Sequence, residues 1–165
     1  MSRFAHMTCT VFGVGHLRPG PGTWGSVVAL PLFWVVHVAG GPALAVLSIG
    51  AVFILGVWAT RKMTEGTADH DPGEIVIDEV AGQWIALLPL SFAAARLDIS
   101  ILAFWPGWVA GFVAFRLFDI LKPGPVGWAD RRADAIGVML DDVIAGALAA
   151  LVVLALAALW HGVLA

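Results

Sequence analysis

The stretch DHDPGEIVIDEVAGQW, residues 69–84, sets acidic against apolar sequence more sharply than any other part of the chain. It carries Asp69, Asp71, Glu74, Asp78 and Glu79, five of the twelve acidic residues. Carboxylates are costly near lipid, so a cluster of them leading into an apolar segment marks a functional site by default. Pro72 and Gly73 suit a turn that delivers a helix beginning near Glu74. Such a helix places Glu74, Asp78 and Gly82 on one face, at i, i+4 and i+8. It then continues without charge as VAGQWIALLPL. An acidic first turn that complements the helix dipole accounts for one or two of these acids, not for five.

Working outward, the apolar character dominates. Of 165 residues 60% are hydrophobic and 13% charged, and the mean hydropathy is +0.91. A soluble domain carries about 25% charged residues, so the chain reads as a single-domain, all-α helical membrane protein spanning residues 1–165. Cys9 is the one cysteine, which excludes an internal disulfide and a cysteine-rich metal site. The eight tryptophans, with no tyrosine, fit membrane-interface positions. The N-terminus makes a poor signal peptide, because glycines and Arg18 interrupt its apolar stretch.

About four to five apolar helices are expected, at about 27–39, 43–60, 80–95, 99–118 and 143–163. The first two share a stretch without Lys, Arg, Asp or Glu that is broken at Gly40-Gly41-Pro42, and they read as a hairpin. Segment 27–39 is short for a crossing of roughly 20 residues and contains Pro31. With the N-terminus in the cytoplasm, residues 1–26, 61–79 and 116–142 lie inside. They hold eight of the nine Lys and Arg residues, all but Arg96. The positive-inside rule selects this orientation and gathers the acidic motifs on the cytoplasmic face.

Three loops then converge. GVGHLRPGPGTWGS (13–26) offers Arg18, Thr23 and Ser26 beside glycines that permit close backbone approach, ahead of a helix N-terminus able to hold an anion. Thr23 or Ser26 is equally a plain N-cap. The pairs Asp78-Glu79 and Asp141-Asp142, each at the start of an apolar segment, offer the hard oxygen ligands that suit Mg²⁺. In FRLFDILKPGP (115–125), Arg116, Asp119 and Lys122 follow at i, i+3 and i+6 along a helix end. They read as a phosphate site, or as an Arg116–Asp119 ion pair with Lys122 at a favourable C-terminus. His70, between two aspartates, is either a proton donor to a leaving group or an exposed loop residue. His6, His16, His37 and His161 stand alone, with no zinc-ligand spacing between them. These groups together suggest Mg²⁺-assisted phosphoryl chemistry on a lipid.

The stretches 13–26, 69–87, 115–131 and GVMLDDVIAGALAA (137–150) resemble, in order, the motifs of the phosphatidylglycerophosphatase A family. The combination of IDE, FRxxDxxKPxP and MxDDxxAG is specific. The resemblance implies a helical enzyme of the bacterial cytoplasmic (inner) membrane. It implies Mg²⁺-dependent hydrolysis of the terminal phosphate of phosphatidylglycerophosphate, giving phosphatidylglycerol, a cardiolipin precursor. Carried over by position, Asp78, Glu79, Asp141 and Asp142 are expected to hold the metal. Asp78, Glu79, Asp119, Asp142 and His70 are expected to act in catalysis, and Arg116, Lys122, Thr23 and Arg18 to bind phosphate. The partners expected are the lipid substrate and the membrane, not nucleic acid. Many family members have a His-Gly-Gly run where this chain has Asp134-Ala135-Ile136, a departure expected to alter substrate fit or loop mobility. Two other readings compete. A CDP-alcohol phosphatidyltransferase-like enzyme would need a DGxxAR motif, which is missing. A cation transporter would favour acids deep within its spans.

Overall fold

A computed structural model describes residues 2–67 and 69–164, with side chains as far as Trp160, so the side chain of His161 lies outside the described residues. The described residues form helices and no strand. The elements are α1 (Arg3–Cys9), a 3₁₀ turn (Val14–His16), α2 (Pro21–Thr64), α3 (Ile77–Leu97), a second 3₁₀ turn (Ile101–Phe104), α4 (Trp105–Leu121), α5 (Pro125–Asp130) and α6 (Ala135–Leu164). Four of them, including the 3₁₀ turn that leads into α4, make helices long and apolar enough to cross a membrane.

α2 is two helices in one. Gly40 and Gly41 leave helical geometry, Gly41 with φ +63°, which glycine adopts without penalty. Pro42 then opens the second half, where its missing N–H costs nothing. The halves fold back on one another. A Cβ on Gly25 would touch Val76, and one on Gly56 would touch Ile77. Thirty-one residues of straight helix would separate those glycines by roughly 46 Å. The expected hairpin is therefore present, and its first arm begins at Pro21, earlier than expected.

α3 is the central element. Of its apolar stretch 56% is buried inside the protein, against 22% in each of the other three long helices. Trp84 shows why so large a polar-tipped residue fits there: its indole N–H donates to the Ala29 carbonyl at 2.9 Å. Ser91 Oγ and His37 Nδ1 lie 2.7 Å apart further along the same contact. The outer faces of the bundle show Leu47, Ile54, Val113 and Leu151 to the surroundings, the apolar exterior that a membrane requires.

α3 and α6 approach at two glycines. A Cβ on Gly82 would strike the Asp142 carbonyl and the Phe115 ring, and one on Gly146 would strike the Gly82 carbonyl. Small residues are what let apolar helices pack this closely.

Two further helix starts differ from expectation, and both matter for the site. α3 begins at Ile77, not near Glu74, and no side chain caps its start at Val76. Glu74 is therefore in the preceding turn and does not share a helix face with Asp78. α6 begins at Ala135, so Asp141 and Asp142 lie almost two turns inside it instead of opening it. The altered 134–136 turn supplies the reason. Asp134 Oδ1 accepts from the Gly137 backbone N–H at 2.7 Å, as an N-cap does. The Arg132 side chain, 2.9 Å away, and this backbone bond together hold the Asp134 carboxyl below its ordinary range.

Two outcomes follow. Gly146→Val, which drives a branched side chain into the Gly82 backbone, lowers stability by about 1–3 kcal/mol or more. A thermal melt in detergent reads the loss, and an unchanged midpoint would refute the close packing. Cys9 is fully buried, with its sulfur 3.9 Å from Thr60 Oγ1, and burial pushes its thiol up to about 11. Maleimide at pH 8 should leave Cys9 unlabelled in folded protein and label it after unfolding.

Candidate active site

Three helices present their acids to one another at one end of the bundle. Asp78 and Glu79 come from the first turn of α3, Asp119 from the last turn of α4, and Asp141 and Asp142 from α6. Asp78, Asp141 and Asp142 are buried, at 8%, 6% and 2% exposure. Ligand oxygens of Asp78, Glu79 and Asp142 lie within 4.8 Å of one another, and so do those of Asp119, Asp141 and Asp142. Asp142 belongs to both groups.

Adjacent residues on a helix diverge by about 100°, and local bonds fix which way each acid turns. Asp78 Oδ1 accepts from the Glu79 backbone N–H at 3.0 Å. Asp141 Oδ1 accepts from the Asp142 N–H at the same distance. Glu79 Oε2 and Asp142 Oδ2 accept no hydrogen bond among the described residues, although both are buried.

Two cations face the five acids. Arg116 Nη1 lies 2.6 Å from Asp119 Oδ2 and 3.8 Å from Glu79 Oε1. It also donates to Ser26 Oγ at 3.3 Å, while Ser26 donates to the Gly22 carbonyl at 2.9 Å. Gly22 leaves room for this arrangement, since a Cβ there would collide with Glu79 Oε1 and crowd Arg116 Nη1. Lys122 is the C-cap of α4 in the left-handed region, φ 46°. That bend takes it off the ridge expected with Arg116 and Asp119. Its ammonium instead contacts Asp130 on α5 and reaches Asp141 at 3.0 Å. Burial alone would lower its pKa, but its bonds to Asp130 and Asp141 prevail and raise it, so it stays charged.

The site residues expected from sequence thus divide. Asp78, Glu79, Asp119, Asp141, Asp142, Arg116 and Lys122 form one constellation. Thr23 is exposed at the start of α2, beside the Pro21-Gly22 backbone. Arg18 donates back to the Gly15 carbonyl at 3.2 Å and is tied to its own loop. His70 is exposed in the turn before α3. Ser26, expected either in the anion-holding loop or as a plain cap, is the residue that joins the glycine loop to Arg116. Asp130 joins the constellation through Lys122. Neither had a spacing signal, because each acts across a contact between elements distant in sequence.

Hard, oxygen-only donors with two buried, unpartnered carboxylate oxygens suit a divalent cation of the Mg²⁺ type. An unpaired buried carboxylate is otherwise strongly unfavourable.

Comparison with known proteins places the chain in a family. The phosphatidylglycerophosphatase A family profile matches residues 7–157. Phosphatidylglycerophosphatase A of Haemophilus influenzae is 36% identical over 152 residues, covering 92% of this chain and 87% of that protein. The Escherichia coli protein of the same name is 34% identical over 151 residues, covering 91% and 81%. A putative phosphatidylinositol-3-phosphatase of Bacteroides thetaiotaomicron is 36% identical over 143 residues, covering 83% of each chain. No solved structure matches. With its motifs gathered at one end of the bundle and the profile matched almost end to end, the chain belongs to the phosphatidylglycerophosphatase A family.

Proposed function

We propose that this protein is a Mg²⁺-dependent phosphatase that hydrolyses the terminal phosphate of phosphatidylglycerophosphate, at the cytoplasmic face of a bacterial inner membrane. The observation that carries the reading is the charge imbalance of the site. Among the described residues, five carboxylates meet the two cations Arg116 and Lys122, and two of their oxygens are buried without hydrogen-bond partners. The relatives' names support the substrate class, since they describe removal of phosphate from a lipid headgroup. The positive-inside distribution of Lys and Arg supports the face.

Asp78, Glu79, Asp141 and Asp142 would hold Mg²⁺, with Asp142 common to both groups of ligand atoms. When bound, the ion offsets charge on the phosphate and makes water a better nucleophile. The protein's own groups do the rest. Arg116, held against Ser26 and Asp119, would bind phosphate oxygens through its guanidinium. Lys122 supplies a second positive charge across the site. A water attacks phosphorus opposite the glycerol oxygen and gives its proton to a carboxylate of the cluster. The P–O bond to glycerol breaks, and the departing oxygen takes a proton from a protonated acid of the cluster or from His70. The products are phosphatidylglycerol and inorganic phosphate, which fits a place in phospholipid synthesis. The lipid remains in the bilayer beside the exposed apolar helices while its headgroup enters the polar end.

Purified protein in detergent should release phosphate from phosphatidylglycerophosphate with Mg²⁺ and not with chelator. Asp142→Asn should reduce release to background. Arg116→Ala should lower kcat by about 10²–10³-fold, the usual loss for one charge-stabilising donor. Release that survives chelation, or that Asp142→Asn leaves intact, would refute the metal reading. Folded protein that releases no phosphate from this lipid would refute the substrate.

A further inference from the structure

A second group of ligand atoms lies outside the carboxylate cluster. His6 comes from α1, His16 from the first 3₁₀ turn and Glu74 from the turn before α3. One nitrogen of each imidazole and a carboxylate oxygen all lie within 4.8 Å of one another. His6 Nε2 is 3.7 Å from Glu74 Oε1, and His16 Nδ1 is 3.4 Å from Glu74 Oε2. Both separations exceed the 2.7–3.2 Å of a good hydrogen bond. They are close to the roughly 3.3 Å between neighbouring ligand atoms of a tetrahedral centre with bonds of about 2.0–2.1 Å. The two imidazoles stack, their centroids 5.2 Å apart and their planes at 27°.

We propose that His6, His16 and Glu74 form a second metal site, which takes Zn²⁺ or a similar borderline divalent ion and staples the N-terminal segment to the turn that leads into α3. The backbone is built for this convergence. A Cβ on Gly15 would collide with the Glu74 carbonyl, so only glycine lets the His16 turn lie against that loop. One strand of chain is tied to the other at 2.9 Å, where the Val76 N–H donates to the Cys9 carbonyl. Two imidazole nitrogens and one carboxylate oxygen make a donor set for zinc, unlike the oxygen-only set of the active site. The side chains of His6, His16 and Glu74 are 29%, 48% and 32% exposed, which leaves the fourth position to water. Val76 is two residues before Asp78, so an ion here steadies the turn that presents Asp78 and Glu79. The site stands on its own donors and does not depend on the proposed lipid substrate.

The test is Zn²⁺ titration against a chromophoric competitor, with detergent-purified full-length protein in excess Mg²⁺. Wild type should bind one equivalent. His6→Ala, His16→Gln and Glu74→Gln should each weaken that binding about tenfold or more, while Asp142→Asn leaves it unchanged. Thermal unfolding confirms that each variant is folded. The proposal is overturned if folded wild type takes up no Zn²⁺, or if the histidine variants bind as wild type does. It is equally overturned if Asp142→Asn abolishes the binding, which would place the ion among the active-site carboxylates.

Discussion

The burial of like charges where α3, α4 and α6 meet is the constraint on which this structure depends. Asp78, Glu79, Asp119, Asp141 and Asp142 lie together in a largely buried region, where each charge is more strongly felt than at a surface. Arg116 and Lys122 offset part of this and are themselves held by it, Arg116 between Asp119 and Glu79 and Lys122 between Asp130 and Asp141. The balance remains negative. A protein that keeps such a cluster is arranged for a positive group that arrives from outside, and oxygen donors of this kind suit a hard cation.

That constraint explains why the helices pack as they do. Asp142 can face Asp78 and Glu79 only if α6 lies against α3 at close range. Gly82 and Gly146 make that range possible by removing side chains from the contact. Gly22 serves the same purpose where α2 begins, leaving space for Glu79 and Arg116. The long apolar surfaces of α2, α4 and α6 face outward, as those of helices in lipid do, and the charges of the site gather at the polar end of the bundle.

Much of this was legible in the sequence. The acidic stretch, the DD pair and the FRxxD run announce themselves as charge within apolar surroundings, and the break at Gly40-Gly41-Pro42 announces the hairpin. Four features were not legible. The start of α3 has no capping side chain at Val76 to mark it, so the turn at Pro72-Gly73 drew the expected helix back to Glu74. α6 starts early because Asp134 caps it, in a turn whose departure from the family pattern suggested altered substrate fit or loop mobility, not a cap. Lys122 leaves the helical ridge through a left-handed residue, a conformation that its spacing from Arg116 does not encode. The pairing of His6 and His16 with Glu74 depends on how distant segments dock, and no local period reports that.

The central claim is that the carboxylate cluster is completed by a divalent cation, and the thermal unfolding of detergent-purified protein with Mg²⁺ or with chelator tests it most directly. A ligand bound only by the folded state at about 100 times its Kd stabilises that state by about 2.7 kcal/mol. The account predicts that Mg²⁺ raises the unfolding midpoint of the wild type and leaves Asp142→Asn nearly unmoved. A wild type indifferent to Mg²⁺, or a variant stabilised as much as the wild type, would contradict it.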